Sequence, residues 1–141
     1  MNYSELIRLY FERSNALQAY WTLYVVIVGG LLAFSSLRKQ SAALTTLIVS
    51  ILFALFAYEN LGAIQATATH RMATLAVIKA SEGTATDVTR VRQELEPTLQ
   101  PASHAATART HLISDALTIA ALWAMELRRR KHGAAPNSDI L

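Results

Sequence analysis

Charged positions along this chain fall in blocks, and the blocks leave two long gaps. From Ser14 to Leu37 there are 24 residues without Lys, Arg, Asp or Glu, and from Gln40 to Tyr58 a further 19. Within the first gap, Tyr20 to Phe34 is apolar apart from Thr22 and the Gly29–Gly30 pair. A helix needs about 20 mostly apolar residues to cross the hydrocarbon core of a bilayer. Both gaps therefore predict spans, over residues 18–37 and 41–61. A helix of a water-soluble bundle shows a polar face at 3.6-residue spacing, and the two gaps, 14–37 and 40–58, carry no charge on any face. A third stretch, Leu112 to Leu127, holds Asp115 near its start and Glu126 near its end. It predicts a weaker span over residues 111–127.

The helical pattern extends beyond these spans. Residues 3–18 place Leu6, Ile7, Leu9, Tyr10 and Phe11 on one side and Glu5, Arg8 and Glu12 on the other, as an amphipathic helix does. The second stretch continues without a breaker until Ser81-Glu82-Gly83, a stop signal. Thr86-Asp87 can cap a short helix through Glu96, Pro97 and Pro101 force a turn, and the pattern is helical again from Ser103 to Lys131. Helices of about 30–40 residues are about 45–60 Å long, against a hydrocarbon core of about 30 Å. The sequence thus predicts an all-α integral membrane protein: three long transmembrane helices in an up-down-up bundle that projects beyond the bilayer on its outer side, plus a short extramembrane helix. One bundle would cover residues 1–131, with 62–110 outside the membrane and 132–141 a flexible cytoplasmic tail.

Composition agrees. Hydrophobic residues make up 52% of the chain and charged ones 16%, where an ordinary soluble domain has about a quarter charged. Disorder is excluded, since it requires low hydrophobicity and high charge. With no cysteine, disulfides, thiolate metal sites and cysteine nucleophiles are excluded too. The opening MNYSELIRLYFERSN mixes acids and bases and has no form of a removable signal peptide, so the first apolar stretch is expected to be a retained helix.

Orientation follows from the basic residues. Arg38 and Lys39 lie between the first two spans, and Arg128, Arg129, Arg130 and Lys131 follow the third. These two places share one side of a three-span protein. The basic residues of the other side (Arg8, Arg13, Arg71, Lys79, Arg90, Arg92, Arg109) are dispersed and nearly cancelled by acids. Clustered charges in short loops stay cytoplasmic, which predicts N-terminus out and C-terminus in, in a bacterial cytoplasmic membrane. The six clustered residues are read as anchors at the membrane surface, in reach of anionic headgroups.

The candidate chemistry lies at membrane depth. Counting from the inner ends places Tyr20, Glu59 and His111 at about one height, with Asp115 about 6 Å deeper. His111 and Asp115 are four residues apart and share a helix face with Thr118 beside them. Ionisable groups at such depth are costly and turn to the bundle interior to find partners. Glu59, His111 and Asp115 form either a polar clasp that pins helix 2 to helix 3, with Glu59 on His111, or an ion, proton or ligand site; the clasp is the preferred reading. His70, His104 and His111, with Glu59 and Asp115, have the chemistry of metal ligands, but no H-x-x-x-H or E-x-x-H spacing brings them together, so neither a metal nor another cofactor is expected. Ser114 lies between His111 and Asp115 on one helix, which cannot align a nucleophile, base and orienter, and no phosphate-binding glycine loop occurs. No enzyme activity is expected.

Small residues recur at four-residue spacing: Gly29 and Ala33, Ser50 and Ala54, and Ala116, Ala120 and Ala124. Such stripes let helix backbones approach closely, and three helices have three mutual seams to use them. The interleaved basic and aromatic pattern that nucleic-acid binding needs is missing. These features lead to a small non-catalytic membrane scaffold or accessory subunit, partnered by the lipid bilayer and by another membrane protein or a copy of itself. The three-span layout, N-out and C-in with a basic tail, resembles that of one class of phage holins. That resemblance implies the alternative, a homo-oligomeric channel or pore subunit, lined by Glu59, Asp115 and Thr118; the excursion between the second and third spans is longer than the short loops of those proteins.

In intact cells a cysteine replacing Ser36 or Gly133 should be shielded from an impermeant thiol reagent, and one replacing Gly83 should be labelled. The reverse pattern would overturn the orientation, since the Arg38–Lys39 and Arg128–Lys131 clusters act together.

Overall fold

The computed structural model describes residues 3–80 and 102–133. Among these the chain is all-helical, with three helices and no strand. We label them α1 (Tyr3–Leu37), α2 (Ala43–Ala80) and α3 (His104–Gly133). The short helix expected from Thr86 to Glu96 and the tail beyond Gly133 lie outside the described residues. Two residues assigned to that tail, His132 and Gly133, instead complete α3.

The helices begin and end where their sequences provide for it. Ser103 caps α3: its hydroxyl accepts from the Ala106 backbone N–H at 3.2 Å, and its carbonyl accepts from Thr107 N–H at 3.0 Å, which occupies donors that the first turn would otherwise leave free. Arg130, Lys131 and His132 occupy the last turn of α3, where positive charge complements the helix dipole. α2 runs unbroken through Tyr58, Gly62 and His70 to Ala80, the continuation that the absence of a breaker predicts.

α1 and α2 are long and apolar enough to cross a membrane. In their most apolar 18-residue windows only 11% of α1 and 28% of α2 is buried. A greasy helix at the centre of a soluble fold would be largely covered, so these apolar surfaces are not spent on a core. α3 falls below that apolar threshold among the described residues, and its mean hydropathy is lowered by the charged residues that end it.

Contacts divide the chain into two compact units: Met1–Thr22 with Leu61–Ala108, and Leu23–Asn60 with Arg109–Leu141. The first has a conventional apolar core of Leu6 and Tyr10 from α1 against Leu75 and Ile78 from α2, with Tyr3 and Ile7 packed on it. The Arg71 guanidinium lies over the Tyr10 ring, 5.6 Å from its centroid.

The second unit is built the other way round. Its buried residues include Ser35, Thr46, Ser50, Asn60, His111, Thr118 and Glu126 beside Tyr24, Phe53, Ala57 and Leu122. Its exposed large side chains include Val25, Val26, Leu44, Ile48, Leu52, Leu55, Leu112, Ile113 and Leu117. On α2 the buried positions 46, 50, 53, 57 and 60 alternate by four and three, the spacing of a left-handed helix-packing seam. The seam is therefore regular, but much of it is polar.

Candidate functional site

Two polar centres occupy the second unit, and each draws on all three helices. At the first, the Tyr24 hydroxyl of α1 donates to Asp115 Oδ1 of α3 at 2.8 Å, and His111 Nδ1 lies 2.9 Å from Asp115 Oδ2. On the other edge of the imidazole, Asn60 Nδ2 of α2 lies 3.3 Å from His111 Nε2. An amide nitrogen only donates, so Nε2 is the acceptor and Nδ1 carries the proton that it gives to Asp115. The Tyr24 ring packs on the imidazole with centroids 4.3 Å apart, and Phe53 stands against Tyr24 at 6.3 Å. His111 is fully buried. Its two nitrogens and both Asp115 oxygens are thereby engaged within the chain.

The second centre surrounds Glu126, whose side chain is fully buried. Its Oε2 accepts from the Thr46 hydroxyl at 3.3 Å and from Arg129 Nη2 at 3.5 Å, and Oε1 accepts from Arg130 Nε at 3.4 Å. Arg38 Nη2 stands 3.8 Å from Oε2, and Arg38 also donates to Thr46 Oγ1 and to the Ala42 carbonyl at 3.2 and 3.3 Å. Arg129 reaches across to α1, donating to the Ser35 carbonyl and hydroxyl. A lone buried carboxylate is strongly destabilising, and three guanidinium groups with a hydroxyl offset its loss of water.

The sequence-predicted residues divide accordingly. His111 and Asp115, expected to share a helix face, bond to each other. Glu59 is not their partner: it is exposed, and Asn60 faces His111 instead. Successive residues of a helix are rotated by about 100°, so the right height with the wrong rotation selects the neighbour. Tyr20 is half-buried, and Tyr24, one turn deeper on nearly the same face, is the residue that reaches Asp115. Thr118 is buried and its hydroxyl donates to the Ser114 carbonyl within α3. His70 and His104 are exposed members of the first unit, and no group of three potential metal ligands occurs among the described residues.

Of the small-residue stripes, Ser50 alone lies in the interior; Gly29, Ala33, Ala54, Ala116, Ala120 and Ala124 are exposed. A Cβ built on Gly29 would meet nothing within 4 Å, so these stripes do not form seams within the unit. Among the expected surface anchors, Lys39, Arg128 and Lys131 are exposed, whereas Arg38 and Arg129 retain only 16% and 13% side-chain exposure and turn to Glu126. The Glu126 centre escapes a reading based on hydropathy, which counts the residue only as a charge that weakens the third span. Its signal is register: Glu126 follows Leu122 and Thr118 at four-residue steps on the face begun by His111.

Replacing Asn60 by Leu should destabilise the fold by about 0.6–2 kcal/mol, the range for hydrogen bonds between membrane helices, while Glu59→Gln should leave thermal unfolding unchanged. Thermal melts of both variants in the same detergent check this, and a larger loss from Glu59→Gln would return the clasp to Glu59. Comparison with protein-family models, with curated proteins and with solved structures finds no match.

Proposed function

We propose that this chain is a non-catalytic membrane scaffold or accessory subunit, with the helices of the Leu23–Asn60 and Arg109–Leu141 unit crossing a bacterial cytoplasmic membrane. The observation that carries this reading is that the acids and the imidazole of the polar centres are already engaged. Both nitrogens of His111, both oxygens of Asp115 and both oxygens of Glu126 are engaged by neighbours in the chain, which leaves none of them to a substrate. A site that acts on ligands keeps convergent polar groups open within a pocket.

The same arrangement supports α3 as a third span. Between Leu112 and Leu127 its exposed residues are Leu112, Ile113, Ala116, Leu117, Ala120, Ala124 and Leu127, without a polar one among them. Its acids are the residues that turn inward. His111 and Glu126 lie about 22 Å apart along the helix axis, so a hydrocarbon layer of about 30 Å spans the apolar stretch between them with each centre near a boundary. The basic end at Arg38 and Arg128–Lys131 then faces the cytoplasm by the positive-inside rule, with the N-terminus outside. The exposed Gly29–Ala33 and Ala116–Ala120–Ala124 stripes supply flat surfaces on which a helix of another membrane protein, or of a second copy, can pack.

One observation favours the alternative of a pore subunit. Tyr24, Asp115, His111 and Asn60 form an unbroken series of hydrogen-bonding groups, and such series carry protons in membrane proteins. Reconstitution separates the two. As a scaffold, the purified chain in sealed vesicles should pass protons and monovalent cations no faster than protein-free vesicles, and Asp115→Asn should lower thermal stability. Flux in the unmodified chain, abolished by Asp115→Asn with unfolding unchanged, would overturn the scaffold reading and establish a conduit.

A further inference from the structure

We infer that the basic cleft at the Arg38–Arg129 end of the second unit is a binding site for the phosphate of an anionic glycerophospholipid. The cleft encloses about 800 Å³, within the size range of small-molecule sites. Arg38, Lys39 and Ser41 of the turn between α1 and α2 line one side, and Arg128, Arg129 and His132 of α3 line the other.

Its cations are of two kinds. Arg38 and Arg129 are already oriented, held by Thr46, Ala42, Ser35 and Glu126. A guanidinium fixed in this way retains N–H donors in a planar fork suited to phosphate oxygens. Lys39 and Arg128 are exposed and have no hydrogen-bond or ionic partner among the described residues. Six basic residues, Arg38, Lys39 and Arg128 through Lys131, stand at this end around Glu126, the one acid described there. The positive charge in excess of that carboxylate is what an anion would neutralise.

The apolar surroundings select a lipid over a free phosphate. Leu37 and Leu127, each next in sequence to a residue of the cleft, are 80% and 51% exposed. Cations beside uncovered leucines suit a molecule with a phosphate at one end and acyl chains at the other. Basic pockets between membrane helices on the cytoplasmic side bind such headgroups. The inference rests on the membrane reading of this unit and adds to it a specific ligand.

The test is native mass spectrometry of the full chain from mild detergent, titrated with phosphatidylglycerol or with phosphatidylcholine. The chain should retain phosphatidylglycerol in preference. Lys39→Gln and Arg128→Gln should each weaken retention about tenfold, as loss of a charge-assisted hydrogen bond does, with unfolding temperatures unchanged. Lys131→Gln removes the same charge outside the cleft and should have little effect. Equal losses from Lys131→Gln and Arg128→Gln would overturn the site in favour of diffuse attraction, and equal retention of both lipids would overturn it outright. Displacement of phosphatidylglycerol by millimolar inorganic phosphate would assign the cleft to a free anion and overturn the lipid. A chain that resists alkaline extraction from membranes but shows no anionic preference would refute this site alone; extraction of the chain would refute the membrane reading beneath it.

Discussion

A polar side chain removed from water must find its partners within the chain, and in the second unit this requirement is met at two places. Tyr24, Asn60, His111 and Asp115 engage one another at one level, and Glu126, Thr46, Arg38, Arg129, Arg130 and Ser35 do so at the other, with only the Arg129 Nε left without a partner among the described residues. Each set draws on all three helices, so each fixes both rotation and height. Turning α2 by one residue would carry Asn60 and Thr46 away from α3 together. Apolar packing alone tolerates such slips, because one leucine replaces another at modest cost. A buried acid without its cation is not tolerated. The polar pairs thus specify a register that the surrounding apolar residues would leave loosely determined.

The consequence is an inverted distribution of polarity. Leu6, Tyr10, Leu75 and Ile78 in the first unit follow the ordinary rule of apolar inside. In the second, serine, threonine, asparagine, histidine and glutamate occupy the interior, and valine, leucine and isoleucine cover the outside. Water would act against so many exposed large apolar side chains. Lipid would act in its favour, because hydrocarbon offers no partners to polar groups and drives them inward. α3 shares the arrangement, with leucines outward and acids inward.

Helix positions were well encoded in the sequence. The run of α2 past Tyr58 and the start of α3 beside Ser103 follow from the absence of a breaker and from a cap, which act over a few residues. The charge-free lengths likewise marked the two helices apolar enough to span. Rotation was less legible. In a helix whose outside is apolar and whose seam mixes Thr46, Ser50, Phe53, Ala57 and Asn60, no hydrophobic stripe marks the interior, so height alone pointed to Glu59 where the fold uses Asn60. Small residues misled for a related reason. Ala116, Ala120 and Ala124 have the spacing of a seam, yet the interior of α3 is held by His111, Thr118, Leu122 and Glu126, and the alanines face outward. The Glu126 centre depends on residues as distant in sequence as Ser35 and Arg129, whose proximity only the folded chain reveals.

The inverted polarity of α3 is the central claim, and spin labels placed one at a time from Leu112 to Leu127 in reconstituted bilayers test it most directly. Oxygen, which concentrates in lipid, should relax labels at Ile113, Leu117, Ala120 and Ala124 strongly, while a water-soluble nickel complex should not reach them. Labels at Thr118 and Leu122 should be shielded from both agents, giving a helical period in oxygen access alone. Strong relaxation by the nickel complex at Leu117 and Ala120 would place that face in water and contradict the account.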